Sequence, residues 1–89
     1  MKHPKELERI VKGFANSWRI KILELLEIEG PTTLVDIADK LNMNIKTASS
    51  HTNKLNLAGL ISKKYDGNTV IHSITLRGKS ILKFLRILE

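Results

Sequence analysis

Apolar residues recur at helical spacing along most of this chain, and the exceptions mark its turns. Pro4 suits the first turn of a helix, and Leu7, Ile10, Val11 and Phe14 follow at i, i+3, i+4 and i+7. Gly13 weakens that helix by about 1 kcal/mol relative to alanine, and a close helix–helix approach there is one reason for a glycine. Asn16 or Ser17 caps a second helix running to about Glu29, where Gly30-Pro31 stops it. Ile22, Leu23, Leu25, Leu26 and Ile28 make this helix apolar over much of its circumference, as a central helix needs. Leu34, Ile37, Ala38 and Leu41 define a third, short helix with Thr33 as its cap and Asp36 at the capping-box position. Leu60 to Tyr65 turns extended, Asp66-Gly67-Asn68-Thr69 is a hairpin turn with Gly and Asn supplying positive φ, and Val70 to Ile74 returns as a second strand. So small a ribbon must lean on the helices. Thr75 then caps a last helix, Leu76 to about Leu88.

Between the third helix and the ribbon lies the most informative stretch. Asn42 tolerates the left-handed conformation that ends a helix sharply, Met43 plugs the turn, and Asn44 caps the helix that follows. That fourth helix carries Ile45, Ala48, Thr52 and Leu55 on its inner side. Its outer side offers Lys46, Thr47, Ser50, His51 and Lys54, all able to hydrogen-bond and none acidic. Residues 32–61 therefore form a helix-turn-helix with a cationic outer face.

Charge sharpens this picture. The net charge is +6, but up to Asp39 seven acids face six basic residues, while from Lys40 onward nine basic residues face only Asp66 and Glu89. No carboxylate occurs between Asp39 and Asp66, the interval holding the fourth helix and the first strand. A basic surface on the exposed element of a helix-turn-helix points to a polyanion; the bland alternative is a lysine-rich solvated surface.

Several short runs carry a family resemblance. Ser49-Ser50-His51 followed by Leu55 and Ala58-Gly59-Leu60-Ile61, with Arg19, Ile22, Leu23 and Leu26 upstream and Ile74-Thr75-Leu76 and Gly78 downstream, resemble winged-helix regulators of the ArsR and MarR type. The resemblance spans nearly the whole chain. It implies a mainly α winged helix-turn-helix domain with a small β-hairpin wing, acting as a transcriptional regulator on double-stranded DNA. The fourth helix, about residues 44–58, would enter the major groove, with Asn44, Lys46, Thr47, Ser50, His51 and Lys54 nearest the DNA. The wing, about residues 60–74, would follow the backbone or minor groove through Lys63, Lys64 and Asn68. Lys donates to guanine O6/N7 while Ser and Thr pair with several base edges, and without arginine or glutamine on this face sequence discrimination is expected to be modest. Tyr65 and His72 are expected to pack against neighbours, and Trp18 to serve the core or a subunit interface rather than stack on a base. Thr52 stands where the family usually carries leucine, which implies looser packing there.

The last helix bears Ile81, Phe84, Leu85 and Leu88 beside Leu82, with Lys79, Lys83 and Arg86 opposite. That is more apolar surface than one small core covers. A second copy is the expected cover, with Leu7, Ile10, Val11 and Phe14 of the first helix contributing to a homodimer, as in ArsR-like regulators. The monomeric alternative has the first helix closing over the last.

The remaining composition mostly excludes. Eighty-nine residues make one small domain, 1–89, with 42% hydrophobic and 27% charged positions. The absence of cysteine removes disulfides, thiolate metal sites and thiol redox sensing. His3, His51 and His72 are scattered, so no metal site, cofactor or catalytic constellation is expected. No membrane span or signal sequence is apparent, giving a cytoplasmic expectation. A winged helix that docks another protein within a larger assembly is the competing function.

Overall fold

The computed structural model describes residues 1–89. Five helices and three short strands run in the order α1 (Pro4–Phe14), α2 (Ser17–Glu29), β1 (Thr32–Thr33), α3 (Leu34–Lys40), α4 (Ile45–Leu57), β2 (Ile61–Asp66), β3 (Thr69–Ile74) and α5 (Leu76–Ile87). Local side-chain chemistry sets most of these boundaries. The His3 ring Nδ1 accepts from Lys5 N–H at the start of α1, and Asn16 Oδ1 accepts from the N–H groups of Trp18 and Arg19 at the start of α2. Thr33 Oγ1 accepts from Asp36 N–H, so only the hydroxyl half of the expected capping box forms.

The turn between α3 and α4 is built by backbone. Asn42, at φ 52°, is the only non-glycine residue with positive φ. Its N–H bonds Asp39 C=O while Met43 N–H reaches Ala38 C=O, the paired closure of a Schellman motif. Asn44 Oδ1 then accepts from Lys46 N–H to start α4. The same closure ends α4, with Gly59 at φ 75° bonded to Asn56 and Leu60 bonded back to Leu55. Leu55 and Leu60 are both fully buried, the apolar contact that accompanies this motif.

The sheet has one more strand than expected. β1 pairs antiparallel with β3 through Thr32↔His72 and Thr33↔Ile71, giving the order β1-β3-β2. Thr33 ends that strand and caps α3, so its local signal was that of a cap. In the hairpin only Gly67 takes positive φ, and Asn68 does not. With Asp66 paired to Thr69, glycine at the first of two turn positions makes a type II′ turn rather than one needing both residues left-handed.

The core is formed by Phe14, Ile22, Leu23, Leu26, Ile37, Leu55, Leu60, Ile61 and Leu82, with Ala58 among them. Ile45 and Ile28, expected inside, are 46% and 81% exposed, because α4 and α2 each turn one flank to solvent there. Thr52 is buried and its hydroxyl donates to Ser49 C=O, so the polar atom is satisfied within its own helix. α1 lies against α4 and α5 against α2, with Leu82 the α5 residue that enters the core. Arg86 ties α5 to α2 through Glu27, and this hydrogen bond holds the Glu27 carboxyl below its ordinary value.

His72 is the costly residue of the core. It is 1% exposed and neither ring nitrogen meets a hydrogen-bonding group of the protein. Burial, with the Lys63 charge added, lowers its pKa below the ordinary 6.5. The unfolded chain therefore takes up a proton near pH ~6.5 that the native chain refuses, and stability is lost as pH falls below that value. Urea midpoints are expected to be flat above neutrality and to fall under acid conditions. His72→Leu is expected to weaken that fall and to raise neutral stability by about 1–3 kcal/mol, the cost of an unpartnered buried polar group. An unchanged acid slope in the variant would contradict this.

Candidate nucleic-acid interface

α4 presents Lys46, Thr47, Ser50 and Lys54 to solvent along one side. None of these lysines has a carboxylate partner; the ion pairs of the protein are Lys2–Glu6, Lys12–Glu8, Lys40–Glu29 and Arg86–Glu27. Asn44 sits exposed at the leading end, its Oδ1 occupied by the cap and its amide N–H groups left outward. These five residues share a face because Ala48, Thr52 and Leu55 turn the opposite face into the core.

His51 is held differently from its neighbours. It is half-buried, and its Nδ1 accepts from Arg19 Nε at 3.2 Å, which leaves the ring proton on Nε2. Burial first, then the charges of Arg19 and Lys54, lower its pKa, so at neutral pH it adds no positive charge. Its chemistry is that of a brace for α4. Arg19 itself is 9% exposed, and its Nη1 donates to the Lys12 and Gly13 carbonyls at 2.9 and 3.1 Å. One guanidinium thus joins the end of α1, the start of α2 and the middle of α4. Sequence reasoning named Arg19 only within the family run and gave it no structural role; no local signal separates it from Lys21, two residues further along the same helix.

The two wing lysines point to opposite faces of the sheet. Lys63 pairs with His72, on the inner face, and Lys64 with Ile71, on the outer face. Lys63 is half-buried and its Nζ donates to Asn53 Oδ1 at 2.6 Å, fastening the wing to α4. Lys64 and Asn68 are exposed. Tyr65, expected to pack, is instead 68% exposed because the hairpin extends past the helices at its tip. Trp18 is 39% exposed, with Lys21 Nζ 4.5 Å from its ring centroid.

The apolar residues expected at a subunit interface divide into two groups. Phe14 is buried within its own protomer, and Ile10, Ile81 and Leu85 pack partly against the same core. Leu7 is half-buried, whereas Val11, Phe84 and Leu88 are 50%, 51% and 66% exposed. Ile87, not anticipated, adds to the exposed edge of α5. No helix is long and apolar enough to cross a membrane.

Comparison with known proteins fits this geometry. The profile of the bacterial regulatory proteins of the arsR family matches residues 16–63, from the α2 cap into the wing. The chain is 26% identical over 72 residues to a cadmium resistance transcriptional regulatory protein CadC homolog of Staphylococcus aureus, covering 81% of this chain and 60% of that protein. It therefore spans about three fifths of that relative's length. A fragment of a possible ArsR-family transcriptional regulator from Mycobacterium bovis, solved in solution as a homodimeric winged helix-turn-helix DNA-binding domain, superposes with a TM-score of 0.85 at 26% identity, covering 94% of this chain and 78% of that one. NolR from Sinorhizobium fredii shares the fold, with a TM-score of 0.84 at 22% identity over 99% of this chain and 94% of that one. With five helices, a small antiparallel sheet and a family match over just over half its length, this winged helix-turn-helix chain belongs to the arsR family of bacterial regulatory proteins.

Proposed function

We propose that two copies of this chain bind double-stranded DNA and regulate transcription, with residues 1–89 acting as one winged helix-turn-helix domain in the cytoplasm. The observation behind this is the carboxylate-free run from residue 40 to 65, which leaves Lys46 and Lys54 on the exposed face of α4 without an acidic partner. Lys46, Thr47, Ser50 and Lys54 meet base edges and phosphates in the major groove, with Asn44 at the helix entry. Lys64 and Asn68 meet the backbone from the wing, while Lys63 and His51 hold their elements in place. The homodimeric Mycobacterium bovis domain supports pairing of protomers, and the exposed Val11, Phe84, Ile87 and Leu88 supply an apolar seam for it. A two-fold dimer then reads half-sites about 34–36 Å apart, and affinity falls with salt at a slope of about −0.9 per phosphate contact.

The signal that controls binding is, on this proposal, other than a protein-bound metal. The Staphylococcus aureus relative is a cadmium resistance regulator, but this chain has no cysteine and brings no group of three His, Cys, Asp or Glu residues together. α5 itself carries Arg77, Lys79, Lys83 and Arg86 and no acidic residue or histidine, and so offers a repulsive surface to a cation.

Lys46→Ala combined with Lys54→Ala is expected to weaken duplex binding by about a hundredfold or more at low salt, two charge-assisted contacts at about 1.5–3 kcal/mol each. Circular dichroism and the dimer mass by light scattering are expected to remain unchanged. Equal duplex affinity would remove α4 from the interface, and a monomeric mass for the parent protein would remove the dimer. Cadmium or zinc added to the protein–duplex complex is expected to leave its affinity unchanged; metal-induced release would contradict the inference on signalling.

A further inference from the structure

A cleft of about 490 Å³ opens between α1 and α4, and four cations converge on it. Arg9 and Lys12 form its α1 wall, Lys54 its α4 wall, and Arg19 lies at its inner end, while Gly13, Leu57 and Ala58 complete the lining. The helices meet closely at one point. A Cβ on Gly13 would fall 2.5 Å from the Ala58 Cβ, so the absence of a side chain brings the basic residues of α1 beside Lys54. The volume lies within the range of small-molecule sites, about 300–1,000 Å³.

The electrostatics of this cleft are unbalanced. No carboxylate lines it, and Arg9, Arg19 and Lys54 have no acidic partner anywhere in the protein. Glu8 reaches Lys12 at 3.6 Å, but both side chains are more than half exposed and the pair screens little. Arg19 is nine-tenths buried and commits Nε to His51 and Nη1 to two carbonyls, so Nη2 retains its donors. Like charges gathered beside a partly desolvated guanidinium repel one another, and an oxyanion between them removes that repulsion while accepting several charge-assisted hydrogen bonds. The apolar atoms of Leu57 and Ala58 leave room for a non-polar part of the same ligand.

We propose that the α1–α4 cleft is a phosphate-binding site, with Arg9, Lys12, Lys54 and the Arg19 Nη2 donors around the anion. The chemistry fits two sources, a free phosphorylated small molecule or a backbone phosphodiester of the duplex. Lys54 belongs to both the cleft and the exposed face of α4, and Arg19 braces α4 through His51. A free occupant therefore competes with the duplex for Lys54, and by linkage the duplex weakens the occupant equally. Phosphate occupancy itself stands without the DNA proposal; only this competition rests on it.

The test is a titration of the protein with inorganic phosphate at constant ionic strength, followed by ¹⁵N NMR at the Gly13 and Ala58 amides and Arg19 Nε–H. Saturable shifts that move together are expected. Arg9→Gln with Lys12→Gln, both on the exposed side of α1, is expected to weaken them about tenfold or more without changing the thermal midpoint. If phosphate lowers duplex affinity for the parent protein and not for the double variant, the site takes a free ligand. If the duplex itself moves the same signals, and the double variant loses about 2 from the salt slope, the site holds a DNA phosphate. The proposal is overturned if neither phosphate nor duplex moves these signals saturably, or if both move them equally in the double variant. Loss of DNA binding by Lys46→Ala with retained phosphate shifts would separate the two claims.

Discussion

A buried guanidinium at the start of α2 is the constraint on which the arrangement of this domain turns. Arg19 has no carboxylate to neutralise it, and instead donates to the last carbonyls of α1 and to an imidazole of α4. The carbonyl end of a helix carries partial negative charge, so the interaction satisfies orphan acceptors and offsets the cost of burying the cation at once. Each such hydrogen bond is worth about 1.5–3 kcal/mol, so the three together are a large part of a small domain's stability of about 5–15 kcal/mol. It also explains why His51 is neutral and turned inward although it sits among groups that face solvent.

Around that junction the remaining elements have distinct tasks. The two Schellman closures set the angle between α3 and α4 and the exit of the chain into β2. Arg77 Nη1 donates to Ala58 C=O at the end of α4, repeating on a smaller scale what Arg19 does for α1. Thr75 links the start of α5 to the same corner by donating to Gly59 C=O while accepting from Gly78 N–H. With α4 held at its middle and at its C-terminal end, its lysine-bearing face is presented on a rigid element, the condition for reading a groove without a large ordering cost. The wing is fastened to this helix by the Lys63–Asn53 contact, leaving Lys64 and Asn68 as its outward polar groups.

Much of this was legible in the residues before any coordinates. Helical spacing in residues 4–14, 17–29 and 45–57, the caps Asn16, Thr33, Asn44 and Thr75, and the left-handed Asn42 all express local rules that tertiary structure did not override. The elements that escaped are those decided by distant partners. β1 is two residues long and exists only because β3 lies beside it. The opposite directions of Lys63 and Lys64 follow from strand register, the burial of Phe14 from where α1 crosses α4, and the exposure of Tyr65 from the reach of the hairpin. Arg19 and His51 are 32 positions apart, beyond any local pattern. At the site, the exposed lysines could be read from the charge distribution, whereas which polar groups brace and which face outward could not.

The central claim is that Arg19 fixes α4 through His51, and the most direct test is the titration of the histidine rings by NMR in the parent protein and in Arg19→Met. In the parent, His51 is expected to titrate below the ordinary ~6.5 and to carry its proton on Nε2. In the variant its pKa is expected to rise toward that value and its tautomer preference to fade, while the depressed titration of His72 persists as evidence that the core is intact. A variant that keeps the parent's His51 pKa and tautomer would contradict the account.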